Sequence, residues 1–345
     1  MPGNGKPKFA MYWAASCGGC EIAVLNIGEK ILDVDAIFEI AFWPLAADFK
    51  YHDVRGYSDG SIDVCLFNGA VRTSENEEMA HLLRQKSKIL VAFGSCAYEG
   101  CIPALANLTT REAIFRTAYL TSPSTDNPGQ IRPQPKTLVP EGELYLPTFF
   151  PAVKSLDQVV EVDYTIPGCP PEPHQVWAVL QVVAQALVGA GELPPSGSII
   201  GAGNLAVCDE CSLEKHEKKI ERFYRPYEMI PTPGLCLLEQ GLVCLGPATR
   251  SGCLARCPQV NMGCRGCYGP LDGVEDQGAR MLSAIASIIV AGAVGGKEED
   301  IQHEIDEAVS TIVDPAGTFY RFSMAHSFLN RKRASLDDTQ KGGQR

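Results

Sequence analysis

The run VVEVDYTIPGCPPEPHQVWAVLQVVAQALVG, Val159–Gly189, decides how the first half of this chain folds. Its β-branched opening reads as a strand, a Pro/Gly turn carries Cys169, and a long apolar stretch then reads as a helix. The same order recurs upstream. KFAMYWAAS (Lys8–Ser16) is a short apolar run that ends in the loop CGGC. CEIAVLNIGEKIL after it is helical, with Ile22, Leu25, Ile27, Ile31 and Leu32 as its apolar face. VDAIFEIAFWP includes another strand and stops at a proline. SIDVCLFNGAV (Ser61–Val71) is a clear strand closed by Asn-Gly, and its Cys65 reads as a buried structural thiol. SENEEMAHLLRQKS opens with Ser74 and places Glu77 three residues on, the signature of a capping box. KILVAFGSC (Lys88–Cys96) is almost continuously apolar, as a parallel strand covered on both faces should be.

Strand, loop and helix repeated in this way mean an α/β fold, a flavodoxin-like doubly wound parallel sheet. A Pro/Thr-rich, poorly periodic stretch from about 102 to 158 interrupts the pattern and is read as a surface excursion and candidate partner interface. GELPPSG (Gly191–Gly197) reads as a linker, so the expected division is 1–195 and 196–345.

Three loops of the first half share one address. Cys17 and Cys20 follow the first strand, Cys96 follows KILVAFGS, and Cys169 follows VDYTI. Open parallel sheets bind ligands beyond the carboxyl ends of their strands. Four thiols therefore converge on one sheet edge, flanked by Gly18, Gly19, Gly94 and Gly168, which let backbone approach a bulky cluster. Cys101 competes with Cys96 for a place there; Cys96 is preferred because it stands directly at the strand end.

Eight more of the fourteen cysteines fall between Cys208 and Cys267: Cys208, Cys211, Cys236, Cys244, Cys253, Cys257, Cys264 and Cys267. Grouped in fours, thiolates hold iron–sulfur clusters or structural zinc. CDEC and CRGC alone would suit zinc, whereas Cys257–Pro258 and the four thiols of the sheet edge favour clusters. Sequence order alone leaves the division into two fours open. GSIIGAGNLA imitates a dinucleotide fingerprint, but CDEC follows at once where a helix is required, and a nicotinamide site is rejected. SLEKHEKKIERFYRP is read as a charged helix with a solvated His216. With little regular structure of its own, this half is expected to be held by its inorganic centres. MLSAIASIIVAGAVGG (Met281–Gly296) is shorter than the ~20 residues of a membrane span and reads as a buried helix stopped by its glycine pair. The polar tail after Asn330 is expected to fray.

The chain has 345 residues and a net charge of −11, which argues against a nucleic-acid partner. The opening MPGNGKPKFAMYW shows neither an apolar signal region nor twin arginines, so a cytoplasmic protein with no direct membrane insertion is expected. In that reducing compartment, ligand roles for cysteine outrank disulfides.

The set CGGC, GSC and GCPP resembles the small, electron-transferring subunit of nickel–iron hydrogenases over roughly residues 8–270. The twenty-kilodalton-type subunit of respiratory complex I is similar in its proximal-cluster domain but lacks the second cysteine-rich half. The resemblance implies three 4Fe-4S clusters: a proximal one on Cys17, Cys20, Cys96 and Cys169, a medial one on Cys253, Cys257, Cys264 and Cys267, and a distal one on Cys208, Cys211, Cys236 and Cys244. Two positions depart from the familiar pattern. Cys208 stands where relatives carry a histidine, and Cys257 stands where many carry a proline. Both departures resemble the cytoplasmic, heterodisulfide-reductase-linked, methyl-viologen-reducing hydrogenases. The nickel–iron centre is then expected in a large-subunit partner, and a 2Fe-2S subunit with heterodisulfide reductase as the acceptor. Glu21 is a candidate proton relay, though a first-turn carboxylate favoured by the helix dipole explains it as well. Two other readings stand beside this one: a zinc-stabilised scaffold or binding module, and a deazaflavin-reducing hydrogenase or complex I-like subunit.

Overall fold

A computed structural model describes residues 5–216, 220–292 and 298–330. Its strands, in chain order, are β1 (Lys8–Trp13), β2 (Glu39–Phe42), β3 (Ile62–Asn68), β4 (Val71–Thr73), β5 (Ser87–Phe93), β6 (Lys136–Val139), β7 (Gly142–Tyr145), β8 (Phe149–Lys154), β9 (Tyr164–Ile166) and β10 (Ser198–Ile199). Six of them form one sheet in the order β2-β1-β3-β5-β9-β10, and every pairing in it is parallel. This is the doubly wound, flavodoxin-like order. The chain reverses direction across the sheet between β1 and β3, which opens a crevice beyond their carboxyl ends.

Side-chain alternation explains why both faces are covered. Phe9 and Met11 of β1 point to one side, where they join Val24, Val34, Val179 and Val183 from flanking helices. Ala10 and Tyr12 point to the other, against Met79 and Leu83. Cys65 lies in that second layer, fully buried, and burial pushes its thiol up to about 12. It is a packing residue, as its neighbours in the strand suggested.

Several expectations are corrected. Helix Gly19–Leu25 buries Cys20, Ala23 and Val24, while Ile22 and Leu25 are about half exposed, so its inward stripe is not the one expected. Helix Ser74–Lys86 is capped one residue earlier than expected. Thr73 Oγ1 accepts from the Asn76 amide at 3.3 Å, and Asn76 Oδ1 accepts from the Thr73 amide at 3.2 Å. Ser74 is occupied elsewhere, accepting the Thr148 amide at 2.9 Å and so anchoring the entry to β8. The excursion from 102 to 158 has structure of its own: an exposed β6–β7 hairpin, helix Arg111–Arg116, and β8 pairing antiparallel with β4. The charged helix expected near His216 is absent among the described residues, where the backbone is irregular with isolated bridges at Glu214 and Tyr224. The sixth sheet strand, β10, comes after the linker and pairs with β9.

The cysteine-rich half also has an apolar core, contrary to the expectation that inorganic centres alone would hold it. Val207, Phe223, Leu238 and Leu245 pack with Met281, Ile285 and Phe319 from C-terminal helices Gln277–Gly292 and Pro315–Phe319. The glycine pair expected to stop the first of these, and the tail after Asn330, lie outside the described residues. Among the described residues no helix is long and apolar enough to cross a membrane.

Residues 322–326 return to the first half. Phe322 O accepts the Cys101 amide at 3.0 Å, Ala325 O accepts from Gln158 Nε2 at 2.9 Å, and Ser155 Oγ lies 2.8 Å from His326 Nε2. This strap ties the two halves together.

Candidate metal centres

Beyond the carboxyl ends of β1, β5 and β9 the backbone is laced into one surface. The Gly94 amide donates to Ile166 O and the Ser95 amide to Gly168 O, each at 2.8 Å. Cys17, Cys20, Cys96 and Cys169 meet there. Cys20 and Cys96 are buried, Cys169 is partly buried and Cys17 is exposed. Burial, followed by the neighbouring Cys96, Cys169 and Cys17, pushes the Cys20 thiol well up. Glycine is required at position 94, with φ +83°, because a Cβ would come within 2.4 Å of Cys20 Sγ. The Gly19 amide donates to Cys17 Sγ at 3.4 Å.

Cys101 is closer to this group than its position suggested. It is fully buried, and its Sγ lies 3.8 Å from Cys169 Sγ, so five thiols stand at the sheet edge. Helix Ser95–Glu99 ends at Gly100 in the left-handed region, and Cys101 itself has φ +47°. That turn swings Cys101 back toward the β9 loop.

The eight cysteines of the second half lie close together, and Cys264 neighbours both Cys244 and Cys267. Cys208 is surrounded by Cys244, Cys236 and Cys211, and its thiol is pushed up to about 12, chiefly by burial. Lys215 opposes that shift and also donates from Nζ to Cys208 O at 2.9 Å. Cys253, Cys257, Cys264 and Cys267 bound a cavity of about 340 Å³. Cys267 is pushed up to about 12, again chiefly by burial, with Cys169, Cys253 and Cys257 beside it. Gln277 holds this loop, its Nε2 donating to Gly266 O at 3.1 Å and to Ala248 O at 3.2 Å. His216 stays at the surface beside Glu214.

The cysteines of the two halves are joined end to end. Cys267 and Cys169 pack side by side against Cys96, Cys101 and Phe322, and the Ser95 hydroxyl donates to Cys267 O. The Cys264 amide donates to Cys244 Sγ at 3.2 Å. Arg256 Nε pairs with Glu172 Oε2 at 3.0 Å, and Tyr268 Oη donates to Gln175 Oε1 at 2.8 Å, fastening the Cys253–Tyr268 segment to the β9 loop.

Thiols pushed upward by burial and by one another are poor anions until something positive sits among them; coordination to metal deprotonates a thiol outright. Among the described residues no group of three or more His, Cys, Asp or Glu side chains is placed to hold a single metal ion. A wide, thiol-bounded cavity, amides aimed at sulfur and glycines where a Cβ would strike sulfur suit a cluster of several atoms.

Glu21 is nearly fully buried, unlike a solvated first-turn carboxylate. Trp43 Nε1 donates to its Oε2 at 2.6 Å, and burial raises the carboxyl to about 7. Glu99 is a second buried acid, with no motif around it to mark it in the sequence. It is 2% exposed, and burial raises it to about 8. It stands next to Gly269, whose added Cβ would meet Glu99 Oε2 at 3.1 Å. The fingerprint-like glycines serve packing: a Cβ on Gly201 would strike Gln175 and Val179, and one on Gly203 would strike Ser251.

A parallel sheet whose strand ends gather thiols, continued by a second cysteine-rich half, defines an iron–sulfur electron-transfer protein. Residues 17–183 match the family model described as NADH ubiquinone oxidoreductase, 20 Kd subunit. The iron–sulfur subunit of the F420-non-reducing hydrogenase of Archaeoglobus profundus is 41% identical over 94% of this chain and 98% of its own length. Its counterpart from the F420-non-reducing hydrogenase of Methanothermobacter marburgensis is 35% identical over 95% of this chain and 97% of its own. The Dm. baculatum [NiFeSe]-hydrogenase structure shares the fold, with a TM-score of 0.50 at 19% identity over 78% of this chain and 96% of that one. The chain belongs to the nickel–iron hydrogenase small subunits, in the group that serves the F420-non-reducing hydrogenases. It is an electron-transfer subunit of an oxidoreductase, its family carries iron–sulfur clusters, and its partner is a hydrogenase large subunit.

Proposed function

We propose that this subunit carries electrons from hydrogen oxidation in its large-subunit partner through three 4Fe-4S clusters to a downstream acceptor in the cytoplasm. The flavodoxin-like part, 1–195, holds the proximal cluster on Cys17, Cys20, Cys96 and Cys169. The part from 196 to 345 holds the medial cluster on Cys253, Cys257, Cys264 and Cys267, and the distal cluster on Cys208, Cys211, Cys236 and Cys244. When bound, the clusters supply one-electron carriers; the nickel–iron centre that splits hydrogen belongs to the partner.

The observation that carries this reading is the end-to-end contact of the three cysteine groups, Cys169 to Cys267 and Cys264 to Cys244. The chain's own residues do three things for the clusters. Thiols ligate, backbone amides donate to sulfur, and apolar packing around Cys244 and Cys264 keeps water away. Exposed Cys17 lies close in sequence to exposed Ile22 and Leu25 and to Trp13, a surface suited to the large subunit.

The acceptor is heterodisulfide reductase, reached through a 2Fe-2S subunit. Cysteine at 208 and at 257 supports this, since both distinguish the heterodisulfide-reductase-linked type. The relatives' own description as F420-non-reducing favours it over a deazaflavin acceptor. The test is anaerobic purification with the large subunit, followed by iron, sulfide, zinc and nickel counts on this chain. About twelve iron and twelve sulfide are expected from the ligand count. Four iron with two zinc would replace the electron chain by one cluster on a zinc-braced module.

A further inference from the structure

Arg265 forms part of the wall between two cavities. On one side lies the space of about 340 Å³ bounded by Cys253, Cys257, Cys264 and Cys267. On the other, a cavity of about 370 Å³ opens among Tyr224, Arg225, Asp314 and Arg321. The guanidinium is partly buried, and among the described residues no carboxylate pairs with it. Its Nη2 donates to the soft acceptor Met262 Sδ at 3.6 Å. Arg321 lines the second cavity with it as a like charge, while Cys257 and Cys264 line the first with it as groups able to carry negative charge.

A cation drawn partly out of water beside a second cation is unfavourable unless negative charge lies close by. Four thiolates per cluster supply that charge. We propose that Arg265 is the fixed counter-charge of the medial cluster, with Arg321 behind it, and that it raises the medial midpoint potential. The inference rests on the three-cluster reading. Reduction adds an electron to an already anionic site, so a nearby permanent cation favours the reduced form. Cys257 adds negative charge to the medial site where a proline would add none. Arg265 offsets that charge and keeps the medial step within reach of its neighbours.

The experiment is a redox titration of the anaerobically purified complex with its large subunit, followed by electron paramagnetic resonance. Arg265→Gln is expected to lower the reduced-to-oxidised ratio of the medial cluster about tenfold at the wild-type midpoint, a shift of about 59 mV for one electron. Arg265→Lys restores most of that shift, because the charge returns without the guanidinium's shape. Arg321→Gln, away from the thiols, shifts the midpoint the same way by a smaller factor and decides the matter if Arg265→Gln loses iron. Unmoved midpoints in the Gln variants, or equal shifts for Gln and Lys at position 265, overturn the proposal. A wild-type complex short of a third cluster would instead overturn the three-cluster reading, so the two failures are distinct.

Discussion

The backbone amide of Cys264 donates to Cys244 Sγ at 3.2 Å, so a residue of the proposed medial group hydrogen-bonds a sulfur of the proposed distal group. Under the proposed three-cluster reading the two sites are electronic neighbours. Cys244→Ala is expected to remove the distal cluster, taking the iron content from about twelve toward about eight by ligand count. The spin-interaction broadening of the reduced medial signal should vanish with it. An unchanged spectrum with full iron would remove Cys244 from the ligand set.

Cys96 and Cys101 can be told apart by a pair of variants. Cys101 reaches within 3.8 Å of Cys169, yet Cys96 stands at the end of β5. Cys101→Ala is expected to retain about twelve iron, and Cys96→Ala to lose the proximal cluster. The reverse pattern would exchange their roles.

Gly94→Ala should damage the proximal site without touching a thiol. Its Cβ would lie 2.4 Å from Cys20 Sγ, at a φ of +83° that L-residues avoid. A backbone conformation of this kind costs about 1–3 kcal/mol, and displacement of Cys20 adds to it. Proximal-cluster occupancy, read from its resonance signal, is expected to fall while the other two signals persist.

Glu99 gives stability a pH dependence. Its folded carboxyl titrates at about 8 against an ordinary value of 4.5, chiefly through burial, with His326 and Arg250 lowering it and Asp157 and Asp276 raising it. Between those values the folded state holds a proton that the unfolded state releases, so stability falls as pH rises from about 4.5 to 8 and then levels. The effect is on the order of 5 kcal/mol. Glu99→Gln is expected to flatten that slope in urea unfolding midpoints measured across the range. A slope that survives the substitution places the titrating group elsewhere.

The convergence of Cys17, Cys20, Cys96 and Cys169 is legible in the sequence because parallel strands end on one edge, and each motif directly follows an apolar run. What the sequence hides depends on approach in three dimensions. Cys101 reaches Cys169 through two consecutive left-handed residues that no periodicity reveals. Glu99 becomes a buried acid because Gly269, 170 positions later, closes over it. The capping box falls at Thr73 rather than Ser74 because the Ser74 hydroxyl is drawn to Thr148, a partner invisible in the local pattern. The core of the second half is hidden for a similar reason. Its loops show no period of their own, and helices that follow them in sequence supply much of the apolar surface.

The strap at 322–326 sets an order on biosynthesis. Cys101 and the helix before it belong to the opening third of the chain, yet Phe322, Gln158's partner Ala325, and His326 emerge from the ribosome near the end. The floor beneath the first thiol group, where Phe322 packs against Cys96 and Cys101, is thus laid only after more than 200 further residues have followed Cys101.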